Sequence, residues 1–416
     1  MHNSALMTLA QWLAYLETLH PASIALGLER VAQVRARMGL TTPYRIITVA
    51  GTNGKGSTVA LLEAMLAAGG YRVGCYTSPH FLRYNERVRI DGREADDATL
   101  VKAFERVEAA RQDMPLTYFE MGTLAAISVF EAAQLDFAVL EIGLGGRLDA
   151  VNLFDPDCAI LTSVDLDHME YLGETREAIG FEKAHVFRAG KPAVCSAADV
   201  PASVRDYANA IDADYLEFGR DFRAHVHAAQ WDFEFGSSTR SALPYPALRG
   251  AHQFRNAAAA LAGLTALDIP LSQQAIRTGL TLAKPFGRFS VLPGEPKVII
   301  DVAHNAEAAR SLAATLEAMP PARTLAVFGM LKDKDVAAVV AALDDQIDHW
   351  FVGSLPPPRG ANANDISVLL GERASSHETI AGAWRAARRD AGKNDRIIVF
   401  GSFLTVAAVM ELCHAE

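Results

Sequence analysis

The sequence predicts an α/β protein of two domains, each built around a mostly parallel sheet. Three observations lead to this prediction. The chain has 416 residues, half of them are hydrophobic, and strand-like and helix-like apolar patterns alternate along it. A chain of this length usually folds into more than one domain, each with its own hydrophobic core. Alternating strands and helices are typical of parallel sheets with helices on both faces. We expect a larger domain at 1–284 and a smaller one at 285–416.

In the first domain, apolar residues at helical spacing predict helices at 9–19 and 28–38. Aromatic residues that alternate with polar ones predict a small antiparallel ribbon within 220–246. The other predicted elements of this domain are strands at 44–50, 71–76, 137–141 and 159–162 and helices at 57–68, 97–112 and 121–133.

The helical pattern stops around Lys284-Pro285-Phe286-Gly287, and a new alternating series begins. It predicts a smaller, Rossmann-like α/β domain. Because small-molecule sites favour clefts between domains, we expect one between these two. The predicted elements of the second domain are strands at 297–302, 324–328, 349–352 and 396–401 and helices at 306–318 and 335–343.

Charge and cysteine usage exclude several classes of protein. The net charge of -10, with no run of Lys and Arg, argues against a nucleic-acid partner. No signal peptide and no apolar run long enough for a membrane span is predicted, so we expect a cytoplasmic protein without a membrane partner. No amphipathic stretch is left over after the cores are assigned, which favours a monomer. The four scattered cysteines predict reduced thiols: Cys75, Cys158, Cys195 and Cys413.

A glycine-rich loop, Gly51 to Ser57, lies between a predicted buried strand and a predicted helix. Such a loop points backbone N–H groups at one spot that suits a phosphate chain, and Lys55 adds a positive charge. The usual pattern is G-x-x-x-x-G-K-[ST], but Val49 stands where its first Gly belongs and Gly56 follows the lysine. The loop predicts a P-loop ATPase-like domain. The alternative is a glycine-rich turn with a solvated lysine.

Three polar residues follow predicted strands of the same sheet and are candidate magnesium ligands: Ser78, Glu141 and His168. The carboxyl ends of parallel strands meet at one edge, where ligands bind. A bound triphosphate needs Mg²⁺, which prefers oxygen ligands. Each residue alone is a weak signal, because a Ser, Glu or His after a strand is more often a turn or capping residue.

The sequence contains a series of short motifs spread over nearly the whole chain. They are Leu19-His20 with Gly27-Leu28-Glu29-Arg30, the loop Gly51 to Ser57, Thr77-Ser78-Pro79-His80, Thr117-Tyr118-Phe119-Glu120, Glu141 to Ala150, Asp167-His168, Glu182-Lys183-Ala184, Asp301-Val302-Ala303-His304-Asn305 and Lys332-Asp333-Lys334-Asp335. Taken together, these motifs resemble the bifunctional dihydrofolate synthase/folylpolyglutamate synthase family of the Mur ligase superfamily.

The resemblance implies a set of nucleotide contacts, three of which lie in the second domain. Closure of the second domain over ATP would therefore complete the nucleotide site. These contacts are Thr52, Asn53, Gly54, Lys55, Gly56, Ser57, Asn256, Arg288, Asp301 and His304. It also implies that Ser78, Glu141 and His168 bind magnesium. Lys183 would be carbamylated, which turns a cation into a metal-binding anion, and would act in catalysis with Lys55 and His168. The alternative for Lys183 is a charge pair with Glu182 on the helix surface.

The resemblance further implies pterin contacts at Ile24, Ala25, Leu26, Thr117, Tyr118, Phe119, Glu120, Leu148, Asp149 and Ala150. Members often carry Asp where this chain has Ala25, so one polar contact to the pterin is missing or comes from elsewhere. Ala306 replaces the Pro that commonly follows the Asp-x-Ala-His-Asn motif, a change we expect a helix N-terminus to tolerate.

The implied activity is ATP-dependent addition of L-glutamate to dihydropteroate and to the γ-carboxylate of tetrahydrofolate and its polyglutamates, in folate biosynthesis and one-carbon metabolism. The implied cofactors are two Mg²⁺ ions, with a monovalent cation as a further candidate. Alternatives are a folylpolyglutamate synthase alone and a cell-wall Mur ligase, although the loop lies too early for the extra UDP-binding domain of such ligases. A non-enzymatic ATP-binding scaffold would not need the second metal and acyl-phosphate residues.

Overall fold

The computed structural model describes residues 7–22 and 24–415. They form two compact units, one within Met1–Pro246 together with Phe254–Ala283, the other within Ala247–Gln253 together with Lys284–Glu416. In the described part of the chain, none of the helices is both long enough and apolar enough to span a bilayer.

The first unit is built on an eight-stranded sheet in the order β4-β3-β2-β5-β1-β6-β7-β8. From β2 to β8 in this order the strands run parallel, whereas β3 and β4 are antiparallel additions at one edge. The strands are β1 Arg45–Ala50, β2 Val73–Tyr76, β3 Val88–Ile90, β4 Arg93–Glu94, β5 Phe137–Glu141, β6 Cys158–Leu161, β7 Pro192–Cys195 and β8 Asp214–Glu217.

Strand β1 lies at the centre, between β5 and β6. Its apolar, β-branched sequence suits a strand that is buried on both faces. Val49 pairs with Glu141 on one side and with Ile160 on the other. The glycine-rich loop, Glu141 and the residues after Leu161 therefore emerge at the same edge of the sheet, the edge where ligands bind in such folds.

Ten helices of the described chain accompany this sheet: α1 Leu9–Leu16, α2 Glu29–Met38, α3 Lys55–Ala68, α4 Asp97–Arg111, α5 Tyr118–Ala132, α6 Met169–Leu172, α7 Arg176–Ala184, α8 Ala202–Ala210, α9 His252–Ala266 and α10 Gln273–Leu282. The predicted ribbon is a separate antiparallel sheet of three strands, β9 Phe222–Val226, β10 Trp231–Phe235 and β11 Ser238–Leu243. Trp231 and Phe233 are buried, in line with the alternating pattern that predicted the ribbon.

The second unit contains a six-stranded sheet in the order β12-β13-β17-β14-β15-β16. Only β12 runs antiparallel to its neighbour. The strands are β12 Ser290–Leu292, β13 Lys297–Ile300, β14 Thr324–Phe328, β15 His349–Gly353, β16 Ala374–His377 and β17 Arg396–Phe400. The helices are α11 Ala306–Glu317, α12 Val336–Leu343, α13 Ala363–Leu370, α14 Ile380–Asp390 and α15 Phe403–Ala415.

The predicted fold class is confirmed, and most predicted elements differ from the observed ones only at their ends. Strand β2 begins at Val73 rather than residue 71, because the Tyr71 N–H donates to the Leu66 carbonyl and closes α3. Helix α5 begins at Tyr118 rather than residue 121, because Thr117 and Glu120 form a capping box. Helix α1 ends at Leu16, short of the predicted residue 19.

Candidate active site

The glycine-rich loop is held by the residues that follow β6. The Thr52 N–H donates to the Ser163 carbonyl at 2.9 Å, and the Asn53 N–H donates to Ser163 Oγ at 2.9 Å. Thr162 Oγ1 donates to the Asn53 carbonyl at 2.6 Å. A Cβ on Gly51, which has φ of +148°, would lie 2.0 Å from Thr162 Oγ1. The loop is therefore held in place by protein groups, and only glycine fits at its first position.

Lys55 opens helix α3, and its side chain folds back over the loop. Nζ donates to the Gly51 carbonyl at 2.9 Å and to the Thr52 carbonyl at 3.1 Å. The solvated lysine of the alternative interpretation is thus wrong. A lysine above backbone N–H groups and a helix N-terminus makes a site for anionic phosphate oxygens. Asn256 of α9 lies beside Gly54 at the start of the same helix.

Ser78 and Glu141 meet at the edge of the sheet next to this loop. Glu141 ends β5 with an exposure of only 4 %, and its Oε2 accepts a hydrogen bond from the Ser78 N–H at 3.2 Å. A serine hydroxyl and a carboxylate are oxygen donors of the kind that Mg²⁺ prefers. These two predicted ligands are brought together, and their chemistry fits a magnesium ion that also binds phosphate oxygens.

His168 lies at the start of the short helix α6, in a left-handed conformation with φ of 51°. Its N–H donates to Asp167 Oδ1 at 2.9 Å, which fixes the turn. In residues 7–22 and 24–415, no group of three or more His, Cys, Asp and Glu side chains is arranged to hold a metal by itself. A metal ion bound by the predicted ligands would therefore also need the Ser78 hydroxyl, together with oxygens from the nucleotide or from a modified side chain.

Lys183 is buried on α7, with an exposure of 5 %. Its neighbour Glu182 pairs with Arg147, whose Nη2 lies 2.8 Å from Oε1. A Cβ on Gly146 would lie 2.7 Å from the Glu182 carbonyl oxygen and 3.0 Å from that of Lys183. The helix-surface position of the alternative interpretation is therefore wrong: the lysine faces inward, and the loop after Glu141 packs on its backbone.

The predicted pterin residues of the N-terminal segment and of α5 are tied together by Arg30. Arg30 Nη2 donates to the Ala25 carbonyl at 2.7 Å and to Glu120 Oε1 at 2.9 Å. The other oxygen of Glu120, a residue only 3 % exposed, accepts from the Thr117 N–H at 2.8 Å. Both oxygens of Glu120 thus bind protein groups, so its visible role is to hold Arg30 and the segment around Ala25.

Asp149 is 4 % exposed and accepts backbone hydrogen bonds through both carboxylate oxygens. The Val151 N–H donates to Oδ1 at 2.9 Å and the Leu144 N–H to Oδ2 at 2.8 Å. Burial raises the pKa of Asp149 to about 7, although these N–H groups and that of Gly143 favour the charged form. Ala150, its predicted partner in pterin binding, is buried as well. Asp149 therefore shapes the loop that connects Glu141 to Leu148.

Other predicted pterin residues surround this loop. The Phe119 ring lies against Gly143, where a Cβ would be 2.5 Å from Cζ. The Gly27 N–H donates to the Leu148 carbonyl at 3.4 Å, so the segment that contains Ile24 and Leu26 contacts the end of the loop. Tyr118 is half-buried and lies beside Tyr84, with ring centroids 5.9 Å apart.

In the second unit, Asp301 lies near the two other residues predicted to contact the nucleotide, Arg288 and His304. Its Oδ2 accepts from the Phe289 N–H and its Oδ1 from the Ala303 N–H, both at 2.8 Å. Burial raises the pKa of Asp301, and the neighbouring Arg288 and His304 oppose the rise. The Arg288 guanidinium lies over the Phe403 ring, 5.5 Å from its centre.

Helix α11 begins at Ala306 directly after this group. Asn305 caps it, because its Oδ1 accepts from the Ala308 N–H at 3.0 Å. The alanine that replaces the common proline thus occupies the first helical position, where an N–H has no partner within the helix and either residue fits.

Sequence reasoning missed the residues that hold the glycine-rich loop from the other side, Thr162, Ser163 and Asp165. Asp165 takes part through its backbone, since its N–H donates to Thr52 Oγ1 at 3.1 Å. A signal was present: Thr162 is the last residue of a predicted buried strand, and Ser163 and Asp165 follow closely after it, at the edge where the loop emerges.

Comparison with known proteins identifies the family. Residues 49–264 match the Mur ligase middle domain, and residues 287–403 match the Mur ligase glutamate ligase domain. The chain is 46 % identical to the dihydrofolate synthase/folylpolyglutamate synthase of Escherichia coli K12, over 98 % of this chain and 96 % of the relative.

Solved structures agree with this relationship. E. coli FolC in complex with DHPP and ADP superposes with a TM-score of 0.95 at 46 % identity, over 99 % of each chain. A bifunctional folylpolyglutamate synthase/dihydrofolate synthase with Mn, AMPPNP and L-glutamate bound gives a TM-score of 0.93 at 47 % identity, again over 99 % of each. The chain is an ATP-dependent acid–amino-acid ligase, and it belongs to the dihydrofolate synthase/folylpolyglutamate synthase family of Mur ligases.

Proposed function

We propose that the chain adds L-glutamate both to dihydropteroate, forming dihydrofolate, and to the γ-carboxylate of tetrahydrofolate and its polyglutamates. One observation carries the assignment of the site. The rigid loop with Lys55 lies at the same sheet edge as the buried Glu141 and Ser78, so a phosphate site and oxygen ligands for a metal occur side by side.

The chemistry requires that a carboxylate oxygen become a good leaving group. Transfer of the γ-phosphoryl group of ATP to the substrate carboxylate forms an acyl phosphate and releases ADP. The α-amine of L-glutamate then attacks the acyl carbon, the new amide bond forms, and phosphate leaves. Lys55 and the loop N–H groups would orient the transferred phosphoryl group and offset its charge, which supplies much of the rate gain in such reactions.

Ser78 and Glu141 would hold a Mg²⁺ ion on the phosphates of ATP. His168 and a carbamate on Lys183 would hold a second one, and a monovalent cation is a further candidate. The buried position of Lys183 supports the carbamate, because it removes the lysine from the helix surface, where the alternative interpretation had paired it with Glu182. Bound divalent ions neutralise charge that develops on phosphoryl and acyl oxygens.

We assign nucleotide and pterin binding to the domain at 1–284. The domain at 285–416 would supply Arg288, Asp301 and His304 to the nucleotide and carry glutamate ligation. The Arg30 link between Ala25 and Glu120 supports a dihydropteroate site in spite of the missing aspartate, since it holds the segment around Ala25 against α5 without using a side chain at position 25. We further propose that the enzyme works in the cytoplasm as a monomer.

The decisive experiment measures ADP release by the purified protein with ATP, Mg²⁺ and L-glutamate. Dihydropteroate and tetrahydrofolate are each supplied alone, and each reaction is repeated without glutamate as the control. We expect glutamate-dependent release with both substrates. ADP release with tetrahydrofolate but not with dihydropteroate would show that the protein is a folylpolyglutamate synthase only. ADP release with neither substrate would refute the proposed substrates.

A further inference from the structure

Arg89, in the middle of β3, links helix α3 to the sheet edge that carries Ser78. Helix α3 begins at the end of the glycine-rich loop Gly51 to Ser57, which we call the phosphate loop from here on. Its side chain is 21 % exposed, and that of its partner Glu63 is 11 % exposed. Nη2 donates to Glu63 Oε2 at 2.9 Å, and Nε lies 3.3 Å from both carboxylate oxygens. Glu63 belongs to α3, the same helix that begins at Lys55. One side of the guanidinium is therefore attached to the helix that follows the phosphate loop.

The other side of the Arg89 guanidinium binds the segment after β2. Nη1 donates to Thr77 Oγ1 and to the Glu86 carbonyl, both at 3.0 Å. The Thr77 backbone is fixed as well, because its N–H donates to the Arg87 carbonyl at 2.9 Å. The next residue is Ser78, whose N–H donates to Glu141. A continuous chain of contacts thus runs from α3 to both proposed metal ligands.

Stability alone does not account for this arrangement. A buried ion pair gains little over a well-packed apolar pair of similar volume, because both charges lose their hydration. The planar fork of arginine, in contrast, can bind a carboxylate, a hydroxyl and a carbonyl in fixed directions at once. An apolar pair could fill the space between Glu63 and Thr77, but it could not fix the orientation of Thr77.

We propose that Arg89 is a positioning residue for the magnesium site: through Glu63 and Thr77 it sets the place of Ser78 relative to the phosphate loop. This inference rests on the proposed role of Ser78 and Glu141 as metal ligands. Groups that orient metal ligands without touching the metal commonly change metal affinity by about 10-fold to 100-fold when they are replaced.

The test uses two variants of the full chain and measures binding rather than turnover. E63L/R89M replaces the ion pair by apolar side chains of similar size. T77V keeps the ion pair and removes only the hydroxyl that Arg89 binds. The readout is the rise in Tm caused by AMPPNP, titrated with MgCl₂ and compared with AMPPNP in EDTA. We expect both variants to need about tenfold more Mg²⁺ for half of the effect, with an unchanged rise in EDTA.

The matched control is R205M/E217L, which removes a second two-pronged Arg–Glu pair at the far edge of the same sheet. There Nε and Nη2 of Arg205 each lie 2.8 Å from an oxygen of Glu217. This variant should keep the Mg²⁺ dependence of the parent protein. If the control changes as much as the two test variants, loss of general stability explains the result and the proposal is refuted.

A parent-like Mg²⁺ dependence of T77V overturns the proposal, whether or not E63L/R89M folds, because T77V leaves the ion pair in place. A parent protein whose AMPPNP binding does not respond to Mg²⁺ overturns it too. Failure of the proposed substrates is a separate result. It would appear as absent ADP release in a parent protein whose nucleotide binding still responds to Mg²⁺, and the T77V comparison would stand.

Discussion

Asn256 of α9 lies against Gly54 of the phosphate loop, so close that a Cβ on Gly54 would be 2.7 Å from Asn256 Oδ1. Gly54 also has φ of +87°, a conformation that side chains other than glycine rarely adopt. Two independent constraints thus require glycine at the start of α3. The contact places the amide of Asn256 beside the proposed phosphate site.

Gly54→Ala should therefore abolish most nucleotide binding, because the loop and Asn256 cannot both keep their positions. Gly70→Ala is the matched control: Gly70 has φ of +88° at the other end of α3, but a Cβ there meets nothing within 4 Å. We expect both variants to lose about 1–2 kcal/mol of stability from backbone strain, and only Gly54→Ala to lose affinity for ADP by calorimetry. Equal ADP affinities in the two variants would contradict the steric argument.

The phosphate loop was predictable because strand, loop and helix are contiguous in the sequence, and their patterns change at the loop. The contact of Gly54 with Asn256 was not, since it joins segments that are distant along the chain and depends on how α9 packs. The edge strand β16 was missed for another reason. Its sequence Ala-Ser-Ser-His is half-buried and polar, without the apolar alternation that identifies a strand.

The orientation of Lys183 was misjudged in the alternative interpretation, although the sequence contained a signal. Consecutive helix residues point in different directions, so Glu182 and Lys183 do not face each other. Lys183 lies four positions after Ile179, and both are buried on the same face of α7. Glu182 instead meets Arg147, which the linear sequence could not indicate because the pairing depends on the fold of the loop 142–149.

Lys183→Ala should reduce turnover far more than nucleotide binding. The side chain is buried, and we propose that its carbamate holds the second metal ion, so its loss should remove an interaction needed in the transition state, worth at least about 100-fold in kcat. ADP affinity should change less than about threefold. The measurements are steady-state ADP release and ADP calorimetry. Lys191→Ala, at an exposed lysine that pairs with Asp157, is the control and should retain both. Small, equal effects at Lys183 would instead indicate a packing role.

Arg30→Gln should impair use of dihydropteroate. Without the guanidinium, the Ala25 carbonyl loses its anchor and the buried Glu120 loses its positive partner, at a cost of about 1–3 kcal/mol. We expect KM for dihydropteroate to rise about tenfold, with KM for ATP unchanged. Arg37→Gln, at an exposed arginine of the same helix, should behave as the parent. A rise in KM for ATP of the same size would show that Arg30 acts on general stability.

Ala25→Asp tests the second half of the same argument. Members of the family often carry aspartate here, and the Arg30 contact holds this residue by its backbone carbonyl, so the new carboxylate should not disturb the segment. It should lower KM for dihydropteroate and leave KM for tetrahydrofolate within about twofold. An unchanged KM for dihydropteroate would show that the side chain at this position does not contact the pterin in this protein.

Asp149 should make stability depend on pH. Its pKa is raised from 3.8 to about 7 in the folded protein, so the folded state binds more protons than the unfolded state between these values. Stability must then fall as pH rises from 4 to 7, by up to about 4 kcal/mol from this group. Asp149→Asn cannot lose a proton. The free energy of unfolding of this variant, measured with urea, should therefore not show this contribution to the decrease between pH 4 and pH 7.

The variant should also be less stable than the parent near pH 4, since the amide offers one acceptor where two backbone N–H groups need partners. The two curves should therefore converge as pH rises. Asp155→Asn, at a carboxylate that is 82 % exposed beside Arg188, is the control, and its curve should stay parallel to that of the parent. If the Asp149→Asn curve is also parallel, then the Leu144 and Val151 N–H groups outweigh burial and Asp149 stays charged throughout this range.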